Sequence, residues 1–173
     1  VPVDAINADF FAEYRGDMHE VADGSILVFH ELEKGREYAK LVNKPVLIDF
    51  TGHSCANCRK TESTIWMNDK VRPMLQRDFV IISLYCDDRT EVPKSEQVYS
   101  DALKGKIKNI GNKWSAYQIE KYEQLSQPLY IVQDLEGNDL SAPRGYDSSV
   151  DGYVKFLNDG KKSFKALQPA PEE

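Results

Sequence analysis

The segment Val46-Leu47-Ile48-Asp49-Phe50-Thr51-Gly52-His53-Ser54-Cys55-Ala56-Asn57-Cys58-Arg59-Lys60 joins a short apolar run to a Cys-x-x-Cys pair. The run reads as a buried strand. Cysteines placed directly after such a strand, at the opening of a helix, form the arrangement that thiol–disulfide exchange needs. Unpaired backbone N–H groups and the positive end of the helix dipole lie beside the first sulfur and favour its thiolate. Two intervening residues carry the second sulfur one turn along, within reach of a disulfide. Cys55 is therefore the candidate nucleophile, and Cys58, less exposed, the residue that resolves a mixed disulfide.

Working outward, Ile26-Leu27-Val28-Phe29 is a first apolar strand. Glu31 to Val42 reads as a helix, weakened by Gly35, and Asn43-Lys44-Pro45 breaks the chain before the next strand. The helix opened by Cys55 is expected to run to about Met67, with a further turn ending near Leu75. Phe79 to Tyr85 is a central strand. A polar, Lys-rich stretch follows from Asp87 to about Ile110, then a helix from Asn112 to about Tyr122. Leu129-Tyr130-Ile131-Val132 is a strong strand after Pro128, and Glu136-Gly137-Asn138 supplies a hairpin turn to a further strand. A last helix runs from about Ser149 to Phe164. Residues 1–25, interrupted by Asn7, Gly16, Asp23 and Gly24, read as an arm or linker that packs loosely or pairs outside the chain. Residues 168–173 read as a disordered tail.

The 173 residues fit one domain, with 41% hydrophobic and 10% aromatic residues. No apolar run of about 18 residues is present to span a membrane. Val1-Pro2-Val3-Asp4 opens no signal-peptide pattern, so a mature exported protein or a domain of a larger one is equally compatible. The net charge of −6 leaves no basic face and argues against nucleic acid as a partner. Three cysteines, one close pair and a distant Cys86, suit chemistry rather than a disulfide scaffold. Zinc needs about four ligands. His53 with the pair gives three at cramped spacing, and nothing in the sequence brings Cys86 near. Covalent haem attachment is excluded because Arg59, not histidine, follows Cys58. No metal or cofactor is expected.

The order strand, helix, strand, helix, strand, helix, strand, strand, helix is that of thioredoxin: an α/β fold, a central mixed sheet flanked by helices. Here it carries an N-terminal arm and an insertion, at about residues 88–111, before the proline-led strand. The domain spans residues 26–167. Phe50 to Lys60, Leu84-Tyr85-Cys86-Asp87-Asp88 and Gln127-Pro128 together resemble the C-terminal thioredoxin-like domain of DsbD-type thiol:disulfide interchange proteins, associated with cytochrome c biogenesis. The resemblance covers about residues 26–165. It implies a periplasmic protein-disulfide reductase. Electrons would come from a membrane-embedded donor domain, possibly of the same polypeptide, and pass to exported Cys-containing proteins. A disulfide oxidase or isomerase, or a non-catalytic thioredoxin-like binding module, are the alternatives.

Asp49 sits within an apolar strand, where an ionised carboxylate is costly to bury. Burial raises its pKa and suits it to exchange a proton with Cys58; the resemblance implies that role, and the alternative is an Asp turned to the strand's polar edge. Glu62 shares a helix stripe with Cys58 and either tunes thiol acidity, as the resemblance implies, or is one more surface glutamate. Pro128 is expected to be cis by resemblance, with the backbone of Gln127 available to an extended substrate segment. His53 either adds positive charge beside Cys55 or fills the loop. Trp66, Trp114 and Cys86 read as core. Lys104, Lys106 and Lys108 read as solvated surface.

Overall fold

Strand β3 (Val46–Thr51) is buried along its whole length because it lies inside the sheet. It runs parallel to β4 (Val80–Tyr85), with Ile48 opposite Ile82 and Asp49 opposite Ser83. It runs antiparallel to β7 (Leu129–Gln133), with Asp49 opposite Tyr130. On the far side of β4, β2 (Ile26–Phe29) is parallel to it, and β1 (Met18–Val21) is antiparallel to β2. The sheet order is β1-β2-β4-β3-β7. The structure, a computed structural model, describes residues 8–169.

Alternation along β3 divides the core between two faces. Val46, Ile48 and Phe50 pack with Leu32, Ala39, Val42 and Trp114, beneath helices α2 (Leu32–Val42) and α5 (Ile110–Tyr122). Leu47 packs on the other face with Trp66, Val71, Leu75, Tyr153 and Leu157, from α4 (Val71–Arg77), α6 (Val150–Ala166) and the turns before α4. Asp49, two residues from Leu47, projects to this second face, under α3 (Ala56–Ser63). Helix boundaries follow from caps: Glu31 accepts from Lys34 N–H, Asn109 from Asn112 N–H and Ser149 from Gly152 N–H.

Several expectations are corrected. Residues 8–25 are no loose arm; residues 1–7 lie outside the described residues. Helix α1 (Ala8–Tyr14) and a short 3-10 turn lead into β1, and Tyr14 and Met18 are buried in the core. Ser25 N–H donates to Ala22 C=O across Asp23 and Gly24, both at positive φ. That is the primed turn that matches strand twist in a hairpin. The Cys55 helix ends at Ser63, not Met67: Thr64 caps it, and turns separate α3 from α4. Beyond β7 the expected further strand does not form among the described residues: the segment returns through single bridges, Gln133 with Asp139 and Tyr130 with Arg144. Gln168 is held by Asn43, whose side-chain amide donates to it at 3.0 Å. The rest of the tail expected to be disordered, from residue 170, lies outside the described residues.

The polar stretch before α5 is a closed excursion. It contains a small hairpin, β5 (Tyr99–Ser100) with β6 (Gly105–Lys106), and its two ends meet where Glu91 bridges Asn109 and Ile110 N–H donates to Thr90 C=O. Gly111 lets α5 close on the end of β4. A Cβ there would stand 2.6 Å from the Cys86 carbonyl oxygen and 2.8 Å from that of Asp88.

Candidate active site

The end of β3 delivers the chain through Gly52-His53-Ser54 to Cys55, which caps α3: Cys58 N–H donates to Cys55 Sγ at 3.2 Å. Cys55 and Cys58 are joined as a disulfide, with Cα atoms 5.2 Å apart. Cys55 is half-buried, while Cys58 is 1% exposed. An incoming thiol therefore reaches Cys55. In the reduced pair the same N–H and the helix N-terminus favour charge on Cys55 rather than on Cys58.

Under α3 lies a buried polar cluster. Asp49, 2% exposed, accepts a hydrogen bond from Ser83 Oγ at 2.7 Å. Burial pushes its pKa up to about 7; the Ser83 bond and the Arg59 charge oppose the rise, and Glu62 adds to it. Glu62 is 7% exposed and pairs with Arg59 Nη2 at 2.8 Å; the same nitrogen donates to Thr51 Oγ1 at 3.0 Å. Burial raises the Glu62 pKa, and Arg59 pulls against it. Glu62 is thus no surface glutamate: its charge is spent on Arg59, within electrostatic reach of Asp49.

In front of Cys55, Asp87 fixes the loop. One carboxylate oxygen accepts from His53 N–H at 2.8 Å and the other from Ser54 N–H at 2.9 Å. Its partial burial would raise its pKa, but these backbone donors outweigh that and hold it below the usual carboxylate range. The His53 ring stacks on Tyr85, centroids 4.0 Å apart. The Tyr85 hydroxyl lies 2.9 Å from His19 Nε2, and His19 Nδ1 lies 3.3 Å from His30 Nδ1. All three histidines of the chain thus gather on one flank of the loop. Burial lowers the His19 pKa, and the neighbouring His30, His53 and Arg59 lower it further. His19 comes from β1, so the segment read as an arm buttresses the site.

The other flank carries the cis-proline loop. Gln127 precedes Pro128 through a cis peptide, as expected. A cleft of about 290 Å³ opens there, lined by Cys55, Ser54, Cys86, Ser115, Leu125 and Gln127 among others. Cys86 is half-buried: it packs against the edge of the core, as expected, and also lines this cleft, because β4 ends at Tyr85 and the chain turns. Burial pushes its thiol up to about 12, partly offset by Ser115, which keeps it protonated. Gln118, fully buried, reaches the same place from α5. Trp66 and Trp114 are core, Trp66 Nε1 donating to Tyr153 hydroxyl at 3.0 Å. Asp87, Tyr85, His19, Arg59 and Gln118 were not proposed as site residues from the sequence, although Tyr85, Asp87 and Arg59 lie in the stretches that carry the resemblance. Among the described residues, no three His, Cys, Asp or Glu side chains stand together as a metal site.

A mixed sheet with the β1-β2-β4-β3-β7 order, a Cys-x-x-Cys disulfide at a helix N-terminus and a cis-proline loop on the same cleft define an oxidoreductase site of thioredoxin fold. Over residues 32–161 the sequence matches the Thioredoxin-like domain family, and the chain belongs to it. No curated protein has a matching sequence. Solved structures do resemble it. DsbH, an oxidoreductase, shares 17% identity over 78% of this chain and 85% of its own, with a TM-score of 0.54. A thioredoxin from Thermus thermophilus shares 13% over 75% of this chain and 82% of its own, with a TM-score of 0.52. The C-terminal domain of Neisseria meningitidis DsbD, in its reduced form, shares 15% over 75% and 93%, with a TM-score of 0.49. At these identities the likeness is one of fold. Among the described residues no helix is long and apolar enough to cross a membrane.

Proposed function

We propose that this domain is a protein-disulfide reductase of DsbD type, acting in the periplasm. In this reading it receives electrons from a membrane donor, possibly part of the same polypeptide. It passes them to exported Cys-containing proteins, including those of cytochrome c maturation. The observation that carries the exchange chemistry is the Cys55 sulfur at the cap of α3, accepting Cys58 N–H and opening on the cleft shared with Gln127. The direction of electron flow rests on the sequence resemblance around the two cysteines.

In the reduced domain, Cys55 thiolate attacks one sulfur of a substrate disulfide. That S–S bond breaks, its far sulfur leaves as a thiolate and takes a proton, and a mixed disulfide joins Cys55 to the substrate. Cys58 then gives its proton to the Asp49 carboxylate and attacks Cys55 Sγ. The second substrate thiol departs and the Cys55–Cys58 disulfide forms. Two electrons have passed from the pair to the substrate. A carboxyl with a pKa near 7 is matched to this proton transfer at neutral pH. A dithiol of the donor runs the sequence in reverse to reduce the pair.

Cys58→Ala tests the reading. Cys55 can still attack, but the intermediate cannot resolve, so disulfide-linked adducts accumulate in envelope extracts; Cys55→Ala traps far fewer because Cys58 is shielded. Non-reducing gels and mass spectrometry identify the adducts. A folded Cys58→Ala protein that traps nothing through Cys55 would instead favour a binding module. A Cys55–Cys58 reduction potential in the range of oxidants, near −120 mV rather than about −270 mV, would favour the oxidase.

A further inference from the structure

Gln118 is a polar side chain with no access to solvent, set in the middle of α5. Burying an amide is costly unless its hydrogen bonds are made. Here each end is used. Gln118 Nε2 donates to Ser126 C=O at 2.7 Å, and its Oε1 accepts from Gln127 Nε2 at 3.0 Å. Cys86 Sγ approaches the same Oε1 at 3.8 Å. The two closest partners are the two residues immediately before cis Pro128. Helix α5 is itself fixed against the end of β4, with Gly111 N–H donating to Asp88 C=O at 2.8 Å and Ser115 Oγ to Cys86 C=O at 3.4 Å. Further along, the outer edge of β7 is occupied: Tyr130 and Arg144 exchange backbone hydrogen bonds, and Leu140 N–H donates to Val132 C=O. The Ser126–Gln127 stretch lies before that cover and borders the cleft of Cys55.

We infer that Gln118 is a positioning residue for substrate: by holding the Ser126 carbonyl and the Gln127 side chain, it fixes the Ser126–Gln127 stretch in the place where an extended polypeptide flanking the substrate disulfide lies against it. The inference rests on the reductase reading above. Gln118 does not touch the sulfurs that react; it acts through Gln127. Its loss therefore weakens the binding of polypeptide disulfides and leaves the intrinsic reactivity of Cys55 alone. A small disulfide, with no peptide backbone to dock, does not sense it.

The test compares insulin with bis(2-hydroxyethyl) disulfide as substrates for the reduced domain and its Gln118→Met variant, similar in length but unable to hydrogen-bond. Losing the clamp is expected to raise KM for insulin about tenfold with kcat nearly unchanged, corresponding to roughly one hydrogen bond. The rate constant for the small disulfide should stay within about twofold. Gln118→Asn keeps an amide in the core but is too short to span Ser126 and Gln127, and should show the same split if the Met variant folds poorly. Equal losses on both disulfides, or an unchanged KM for insulin in a folded variant, would overturn the inference while leaving the reductase reading intact. A wild-type domain inactive on both substrates would overturn the two together.

Discussion

Two aspartates flank the disulfide loop, and their surroundings give them opposite affinities for a proton. Asp49, under α3, has one hydroxyl donor and almost no solvent, and its pKa rises to about 7. Asp87, in front of Cys55, is exposed and receives two backbone N–H groups, and its pKa falls. Burial favours the neutral acid, while fixed donors favour the anion. The first environment suits a group that takes and returns a proton during exchange. The second suits a permanent charge that holds a loop. Residue type decides neither role.

Replacing Asp49 by Asn should produce the largest change, because the amide cannot ionise. Below about pH 4 wild type and variant should be equally stable, since the acid is protonated both folded and unfolded. Between about pH 4 and 7 the unfolded chain releases the proton and the folded chain keeps it, so wild-type stability falls as pH rises. Above pH 7 the full cost is present, roughly 4 kcal/mol for a shift from 3.8 to about 7. Urea denaturation at pH 4.5 and pH 8 should show the variant gaining on wild type across that interval. Parallel stability curves would remove Asp49 from the role given to it. In reduced protein the same substitution should slow disulfide resolution at neutral pH, on the order of a hundredfold if general-base action is its contribution.

Asp87→Ala is expected to act in the opposite sense. It deletes two charge-assisted bonds to His53 and Ser54, a loss of roughly 2 kcal/mol after allowance for exposure. The contribution is present above about pH 4 and lost as pH falls through the lowered folded pKa. Thermal melts at pH 7 and pH 3 should thus show a gap that closes in acid. A gap of the same size at both pH values would mean that the carboxylate charge is not what fixes the loop.

Tyr85→Phe should be the mildest change. The ring keeps its stack on His53, while the hydroxyl's bond to His19 and its weaker interaction with Arg59 go, about 1 kcal/mol. Amide exchange should quicken over Met18–Val21 but not over Val46–Thr51. Uniform quickening would show that the hydroxyl supports the whole sheet rather than the attachment of β1.

Asp49 was legible because an acid in an apolar run is anomalous. Asp87, in a polar stretch after a strand, was not, since its distinction is which N–H groups it meets. Gln118 was missed for the same reason: glutamine on a helix is ordinary until its burial is known. The hairpin of β1 and β2 did carry a local signal, Asp23-Gly24, but Met18-His19-Glu20-Val21 has too few apolar residues to read as a strand by pattern. Its register and the burial of Met18 on the core make it one. Glu62 was placed on the right stripe of its helix, and its pairing with Arg59 is a local contact three residues apart on that helix, while its burial comes from the sheet beneath.

The sequence alone determined what depends on neighbours a few residues apart. The Cys55–Cys58 spacing, the helix start at Cys55, the apolar runs of β2, β3, β4 and β7 and the breaks between them all follow from short-range geometry and periodicity. Tertiary structure decided what depends on residues far apart along the chain. It set the strand order that buries β3, the meeting of His19 with Tyr85, the clamp of Gln118 on the cis-proline loop and the opening of Cys86 to the cleft. It also set the two aspartate pKa values. Proton affinity depends on desolvation and on fixed donors, and both come into being only when distant segments close around a group.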